Sequence, residues 1–576
     1  MHPWMHQARR PSLVLIALLA IVVLVGAPLI GWPPVVRFPA VLVPALMLAV
    51  AVLRPWRWNA SEWQTLEDWA PSARVVWTGA LVVALVLFWL VLTRFRSGEI
   101  NGVDFTVYFD RPCFQTLQGR PLFVETADFV DYSHRTALGH HAYWGMFPVC
   151  SLYALRATPF WLLTLSIIAV TFGAVHVLRA MQWLGTGGVL ATATALAFVL
   201  NDNTARTLNY GFHPEVLYAW FIPWLLDAAL RGNRRQFVAA TLACILVKED
   251  AAMPLFAASV ALGLNGFRRM NHLDRAFFLM LPVALSLANL GIYYAVVVPA
   301  LTTGGLPAYA HFWASYGPTP MRALAGMITH PWSVLAESTT SGFLRIVILP
   351  HLFLPVLGWR WMLGIVPIVA LFSASDDPQL RRFGIYYAIP LVPFLVIGAS
   401  TGALTLARRL VPDVGRAALF AAALVLLGAV LVGSGNRGYS LRPWKPQIAA
   451  VPEALSRLAD ERVVLVQSGL YPHAGYDERV QLLTPETLRN PRYAGAVVLI
   501  AQGIGAYPFQ TGDLDGLHQL PSIRAMPGGL LAVRAPAASH PGRRGPVHTP
   551  RWRLPGERRS GTDGVPARTG DPGRIL

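Results

Sequence analysis

Three consecutive ionisable residues, Lys248-Glu249-Asp250, stand between Leu246 and Met253 in an otherwise apolar run. A charge at the centre of a bilayer costs about 2.5–3.5 kcal/mol on insertion scales, so such a triplet must neutralise itself, meet a ligand or sit at the tip of a hairpin. Lys248 is one of only two lysines among 47 basic residues, so its compact ammonium, suited to a point contact with phosphate, is not the local habit. Upstream, Asn209-Tyr210-Gly211-Phe212-His213-Pro214-Glu215 opens another apolar run. Pro214 suits the first turn of a helix and Glu215 its positive end, which accounts for both but leaves His213 over. Earlier still lies Gly102-Val103-Asp104-Phe105-Thr106-Val107-Tyr108-Phe109-Asp110. Asp104 or Asp110, at a membrane surface, could act as general base on an acceptor hydroxyl or ligate a divalent cation bridging a diphosphate. They could equally be solvated loop acids or a helix cap.

Weaker candidates surround these. His140 and His141, beside Tyr143 and Trp144, could bind metal or phosphate or titrate near neutrality, although adjacent imidazoles on a helix diverge and serve poorly as joint ligands. Asp376, Asp377, Arg381 and Arg382 precede Tyr386 and Tyr387, and the Arg pair could recognise phosphate. His473 and Tyr476 follow a candidate strand and read as structural. No phosphate loop, dinucleotide fingerprint, zinc spacing or nucleophile elbow is present.

The elements that must position these residues are set by composition. Of 576 residues 55% are hydrophobic and 13% charged, and mean hydropathy is +0.47. That excludes a soluble globular enzyme and a disordered protein. Cys113, Cys150 and Cys244 are too few for a disulfide framework. Apolar runs cover 12–32, 35–53, 75–93, 160–178, 189–200, 216–230, 237–264, 276–298, 343–372, 386–406 and 417–432. The seventh is broken at Lys248-Glu249-Asp250 and the ninth at Gly358-Trp359-Arg360, so the count is 11 spans or, with both split, 13. The positive-inside rule favours 13, because Arg231, Arg234, Arg235, Arg268, Arg269, Arg275, Arg360, Arg408 and Arg409 then all face the cytoplasm. Lys248 is then expected at the outer tip of a hairpin. The net charge of +17 is therefore read as topology plus a basic tail rather than as a nucleic-acid surface. Arg9 and Arg10 ahead of the first run place the N-terminus inside, and no convincing cleavage site follows.

Four regions are expected. Residues 1–74 hold two N-terminal spans and a cytoplasmic loop; 75–434 form the transmembrane core, with a large first outer loop at 94–158 and another outer stretch at 300–342. Residues 435–534 read as a small extracytoplasmic α/β domain, with a helix at 452–459 and strands at 462–467, 496–500 and 530–534. Residues 535–576, rich in Arg, Pro and Gly, read as a disordered tail.

The motifs also occur in a suggestive order: Asp104 to Asp110, then Gly119-Arg120-Pro121-Leu122, His141, Leu152-Tyr153-Ala154-Leu155, Phe212-His213-Pro214-Glu215, Val247-Lys248-Glu249-Asp250-Ala251 and the stretch 386–393. Over residues 95–405 the chain resembles the bacterial membrane-protein family labelled domain of unknown function 2079. That family is similar to the GT-C class of polytopic glycosyltransferases, which take a sugar from a polyprenyl-phosphate donor outside the cytoplasmic membrane. The resemblance implies an all-α polytopic fold of 11–13 spans in the bacterial plasma membrane, with lipid-linked sugar and membrane lipids as partners and no nucleic acid. It implies a catalytic Asp in the first outer loop, Asp104 before Asp110. It places His141, His213, Glu215, Lys248 and Glu249 around the same outer cavity, with Asp250, His213 and Glu215 orienting the sugar. Lys248, with Arg381 or Arg382, would hold the leaving phosphate, and a divalent cation is a further candidate. Two spans ahead of the motif loop, and Asp104-Phe105-Thr106 in place of a small or aliphatic continuation, depart from the pattern. The competing expectations are a transporter or lipid-handling protein coupled through Lys248-Glu249-Asp250, and a non-catalytic envelope protein. No pseudo-symmetric halves support the transporter.

Overall fold

A computed structural model describes residues 69–125, 136–266, 270–302, 312–340, 348, 351–411, 413–433, 439–509 and 524–535. The expected spans at 12–32 and 35–53 and the tail beyond 535 lie outside the described residues. The rest is a mostly helical, multi-pass membrane protein carrying a small mixed sheet near its C-terminus.

Among the described residues four helices are long and apolar enough to cross a membrane: Ala73–Arg96, Phe160–Trp183, His272–Leu301 and Ile389–Leu410. Their burial differs sharply. Ala73–Arg96 presents Leu81, Val82, Leu85, Phe88 and Trp89 outward, as a lipid-facing helix does, whereas Ile389–Leu410 is buried along most of its length and forms the centre of the bundle. Gly358 is what lets a neighbouring turn reach that central helix: a Cβ there would lie 2.0 Å from the Gly398 carbonyl oxygen.

Both broken runs are broken as expected. The run at 237–264 is two helices, Arg234–Val247 and Ala252–Gly266, of 14 and 15 residues. At about 1.5 Å per residue each is roughly 21–23 Å long, short of the ~30 Å hydrocarbon core. Between them Lys248 is fully extended (φ −170°, ψ 160°) and a 3₁₀ turn covers Glu249–Ala251. This tip is not solvated, because Lys248 and Glu249 are both buried. The run at 343–372, where described, is a chain of short turns, Leu354–Leu357, Trp359–Met362, Leu363–Ile365 and Val366–Ser373.

The long loop after Ala73–Arg96, expected on the outer side, is structured. A π-helix, Val103–Asp110, leads straight into a helix at Arg111–Leu117, and a second short helix covers Met146–Ser151. Three cysteines make no framework, yet Cys113 and Cys150 form one disulfide that ties these two segments together; Cys244 is free and buried.

The sheet comprises β1 (Val464–Val466), β2 (Val480–Leu482), β3 (Val497–Ile500), β4 (Arg524–Ala525) and β5 (Leu531–Arg534), in the order β2-β1-β3-β5-β4. β1 pairs in parallel with β2 and β3, whereas β5 is antiparallel to β3 and β4. β1, β3 and β5 fall within the expected strands, and the expected helix lies earlier, at Pro446–Ser456, where Pro446 starts the first turn. β2 and β4, three and two residues long, were too short to leave an alternating pattern. Alternation splits the central strands between two cores. Leu465, Val498, Ile500 and Val533 form the sheet's own cluster, while Val464, Val466, Val497 and Leu499 belong to the continuous core of the helical body.

Candidate functional site

Lys248 is the organising charge. The break between its two helices directs its ammonium to Glu215, whose Oε1 accepts from Nζ at 2.8 Å, and to Asp250, with Oδ2 at 3.4 Å. Glu215 opens the 3₁₀ turn Pro214–Leu217 and its other oxygen is paired with His213 Nδ1. Asp250 Oδ1 accepts from the Tyr218 hydroxyl at 2.9 Å. Glu249, the middle acid of the triplet, turns the other way and takes His141: Nδ1 to Oε1 is 2.6 Å, and the Ala142 amide donates to Oε2 at 2.9 Å. The loop at 140–146 is held there by the Gly145 amide, which donates to the Leu246 carbonyl at 2.7 Å.

His213, Glu215, Lys248 and Asp250 thus fall into one network, with Glu249 paired to His141 on the other side, and the question raised by His213 has an answer. Its ring stacks on Tyr386, with centroids 3.6 Å apart and planes at 13°, while Phe109 meets it edge-on at 4.9 Å. Tyr386 is delivered by a tight segment in which Phe383 and Ile385 adopt left-handed backbone (φ 50° and 49°). For a β-branched residue that conformation costs on the order of 1–3 kcal/mol and persists only where surrounding contacts hold it.

Asp104 stands at the accessible edge of this network. It lies in the first turn of the π-helix, partly exposed, whereas Glu215 and Glu249 are buried. Asn101 Nδ2 lies 3.5 Å from Asp104 Oδ2 and donates to the Tyr210 hydroxyl at 2.7 Å. Burial, and then the negative charge of Glu215, push the Asp104 carboxyl up to about 7. Such a group is neutral or ionised on demand near neutral pH, which suits a general base.

Asp110, six residues on, is elsewhere. Its Oδ1 accepts from the Tyr153 hydroxyl at 2.7 Å and from the Tyr476 hydroxyl at 2.9 Å. Burial raises its carboxyl to about 6 against the opposing pull of those two hydroxyls and of Arg111. Arg381 is also set apart. It faces a polar cavity of about 450 Å³ shared with Tyr316, His330, Ser333, Glu337 and Asp376, donates from Nε to the Ser375 carbonyl at 2.8 Å and lies 3.5 Å from Glu337. Arg382 is exposed, four residues before Tyr386. Among the described residues no group of three His, Cys, Asp or Glu side chains is arranged to hold a metal ion.

Sequence reasoning missed Tyr218 and Arg111, met Tyr153 only inside the Leu152-Tyr153-Ala154-Leu155 motif with no role assigned, and read Tyr476 as merely structural. Tyr386 was seen as part of a polar connection and of the 386–393 stretch, with no partner assigned. None carries a local signal, because each meets its partner across tens to hundreds of residues.

Against known proteins, the chain is similar to two crystal structures of ArnT from Cupriavidus metallidurans. The one bound to undecaprenyl phosphate is 13% identical with TM-score 0.40, covering 81% of this chain and 98% of that one. The apo form is 14% identical with TM-score 0.41, covering 82% and 100%. No curated protein is significantly similar. The family described as predicted membrane protein (DUF2079) matches residues 100–490, which take in the π-helix, the whole charged network and the first two strands of the sheet, and the chain belongs to that family.

Proposed function

We propose that the protein is a GT-C-like glycosyltransferase that moves a sugar from a polyprenyl-phosphate donor to a hydroxyl acceptor on the extracytoplasmic face of the membrane, with Asp104 as general base. One observation carries the reading: a partly exposed carboxyl, raised to about 7, sits on a structured loop beside a buried Glu215–Lys248–Asp250 network. The Cys113–Cys150 disulfide supports an oxidising, extracytoplasmic setting for that loop.

In this reading the acceptor oxygen attacks the anomeric carbon as its proton passes to Asp104. The bond from that carbon to the phosphate oxygen breaks, and the polyprenyl phosphate leaves with the bonding pair. Lys248 is already paired with Glu215 and Asp250, so its ammonium reaches the phosphate only by sharing Asp250, the more exposed of its two partners. Arg382, exposed and four residues before Tyr386 along the chain, is the second cation proposed to hold the leaving group. His213, fixed by Glu215 and Tyr386, and Asp250 at the network's edge, orient the sugar.

The test is transfer by the purified protein in lipid nanodiscs, using a panel of radiolabelled polyprenyl-phosphate hexoses and aminosugars and following both labelled product and released polyprenyl phosphate. Turnover by the wild type and its loss in Asp104→Asn, with insertion retained, is the expected result. An Asn variant that turns over normally, or a wild type inert towards the whole panel, overturns the reading.

A further inference from the structure

The eight-residue π-helix that carries Asp104 is gripped at both ends by the C-terminal sheet domain. At its start, Gly102 lies so close to the segment after β1 that a Cβ would be 1.9 Å from the Ser468 carbonyl oxygen. At its end, Asp110 takes the Tyr476 hydroxyl, and the next residue, Arg111, is almost wholly buried. Arg111 donates from Nη1 to the Gly475 carbonyl at 2.8 Å and from Nη2 to the Asp477 carbonyl at 2.7 Å, while Nε is 2.5 Å from Glu125. Phe114, one turn further, stacks on Tyr476 with centroids 4.5 Å apart. The loop after β3 brings Tyr507 within electrostatic reach of Asp104. The hydrophobic core runs unbroken from Val103 and Val107 of the π-helix to Val464 and Val497 of the sheet.

A π-helix is a rare conformation that persists where its surroundings impose it. We propose that the C-terminal domain is a positioning element of the Asp104 site, holding the π-helix through Gly102 at one end and through Asp110, Arg111 and Tyr476 at the other. These four are positioning residues, because none of them touches the reacting atoms in the mechanism above. The inference rests on Asp104 being the working carboxylate, but its test does not need turnover.

Asp104 faces Tyr108 of its own helix, Asn101 ahead of it, Glu215 from the 3₁₀ turn, Tyr386 from the segment before the central helix and Tyr507 from the sheet domain. Moving the π-helix changes its distance to all of them and its access to water. The experiment labels the protonated Asp104 carboxyl with a hydrophobic carbodiimide across pH, in the full-length protein in nanodiscs, and quantifies the modified peptide by mass. Wild type should lose labelling with a midpoint of about 7. Gly102→Ala wedges the domain away and should lower the midpoint by about 1–2 units, towards that of a solvated aspartate; Tyr476→Phe should lower it by roughly half a unit. Glu453→Gln, on the exposed face of Pro446–Ser456, should leave it unchanged. If Gly102→Ala does not insert, Tyr476→Phe carries the test alone. A folded Gly102→Ala or Tyr476→Phe protein with an unshifted curve overturns the inference. Shifted curves in a protein that transfers no sugar would keep the inference and remove the glycosyltransferase reading.

Discussion

Asp104 and Asp110 are the same residue type, six positions apart on one π-helix, and the fold uses them in opposite ways. Asp104 keeps an exposed edge and faces another carboxylate, Glu215; Asp110 is buried, with two tyrosine hydroxyls on one of its oxygens. Both carboxyls are raised by burial, to about 7 and about 6, so a perturbed acid alone does not distinguish the proposed base from a strut. Access and the identity of the partners do. A fully buried group that already holds two hydroxyl donors is closed to a substrate by its burial, whereas a partly exposed one that faces a like charge is poised to change its proton.

The comparison can be broken, first, by exchanging the two roles. Asp104→Asn should lower transfer by about 10²–10⁴-fold, the usual contribution of a general base, with the variant no less stable in detergent than the wild type at neutral pH. Asp110→Asn should retain most of the transfer rate. Equal rate losses from the two variants would erase the distinction. Lys248→Met probes the network behind Asp104: it leaves the buried Glu215, and the partly buried Asp250, without their cation and should destabilise by about 3–5 kcal/mol, read by denaturant unfolding. Adding Glu215→Gln to Lys248→Met should recover part of that loss. A single Lys248→Met variant as stable as wild type would mean that the pair carries little.

Asp110→Asn should itself cost about 1–3 kcal/mol, because one buried tyrosine hydroxyl is left with a poorer acceptor, and the same unfolding assay reads it. The pH dependence sharpens the contrast further. A general base must be ionised, so transfer should rise with pH through a midpoint of about 7, falling about tenfold per unit below it. For stability the sign is the reverse. The Asp104 carboxyl is raised from its ordinary 3.8, so the native protein holds a proton that the unfolded chain has released. That contribution is fully present below about 4 and is lost as pH rises through about 7. The melting temperature of Asp104→Asn relative to wild type should therefore be higher at pH 8 than at pH 5. The smallest effect is expected at Arg381, whose half-exposed pairing with Glu337 should be worth under about 1 kcal/mol when replaced by Ala.

Much of the site was legible before the structure. The interruption of an apolar run by Lys248-Glu249-Asp250 marked a break with charges that had to be paired, liganded or placed at a hairpin tip, since lipid-facing helices do not carry three ionisable residues in succession; that the tip is buried was not legible. His213 was left over after capping had explained Pro214 and Glu215, and it proved to be held by Glu215 and stacked on Tyr386. Direction was not legible. Adjacent residues Lys248, Glu249 and Asp250 make contacts on two sides of the chain, Glu249 with His141 and the other two with Glu215 and Tyr218. That divergence follows from an extended residue leading into a 3₁₀ turn, which no spacing rule anticipates.

The sequence by itself determined what depends on windows of a few to about twenty residues: membrane-length apolar runs, their two interruptions, three of five strands and the short list of ionisable residues inside apolar surroundings. Burial in hydrocarbon or in a sheet core is a property of such windows, so composition and periodicity report it directly. Only the tertiary structure decided which aspartate stays accessible, that Arg381 faces a separate cavity, and that a domain some 370 residues downstream clamps the π-helix. Those outcomes depend on which distant groups arrive, and the atoms that select them, Tyr476, the Gly475 and Asp477 carbonyls and Ser468, leave no trace in the neighbourhood of Asp104 along the chain.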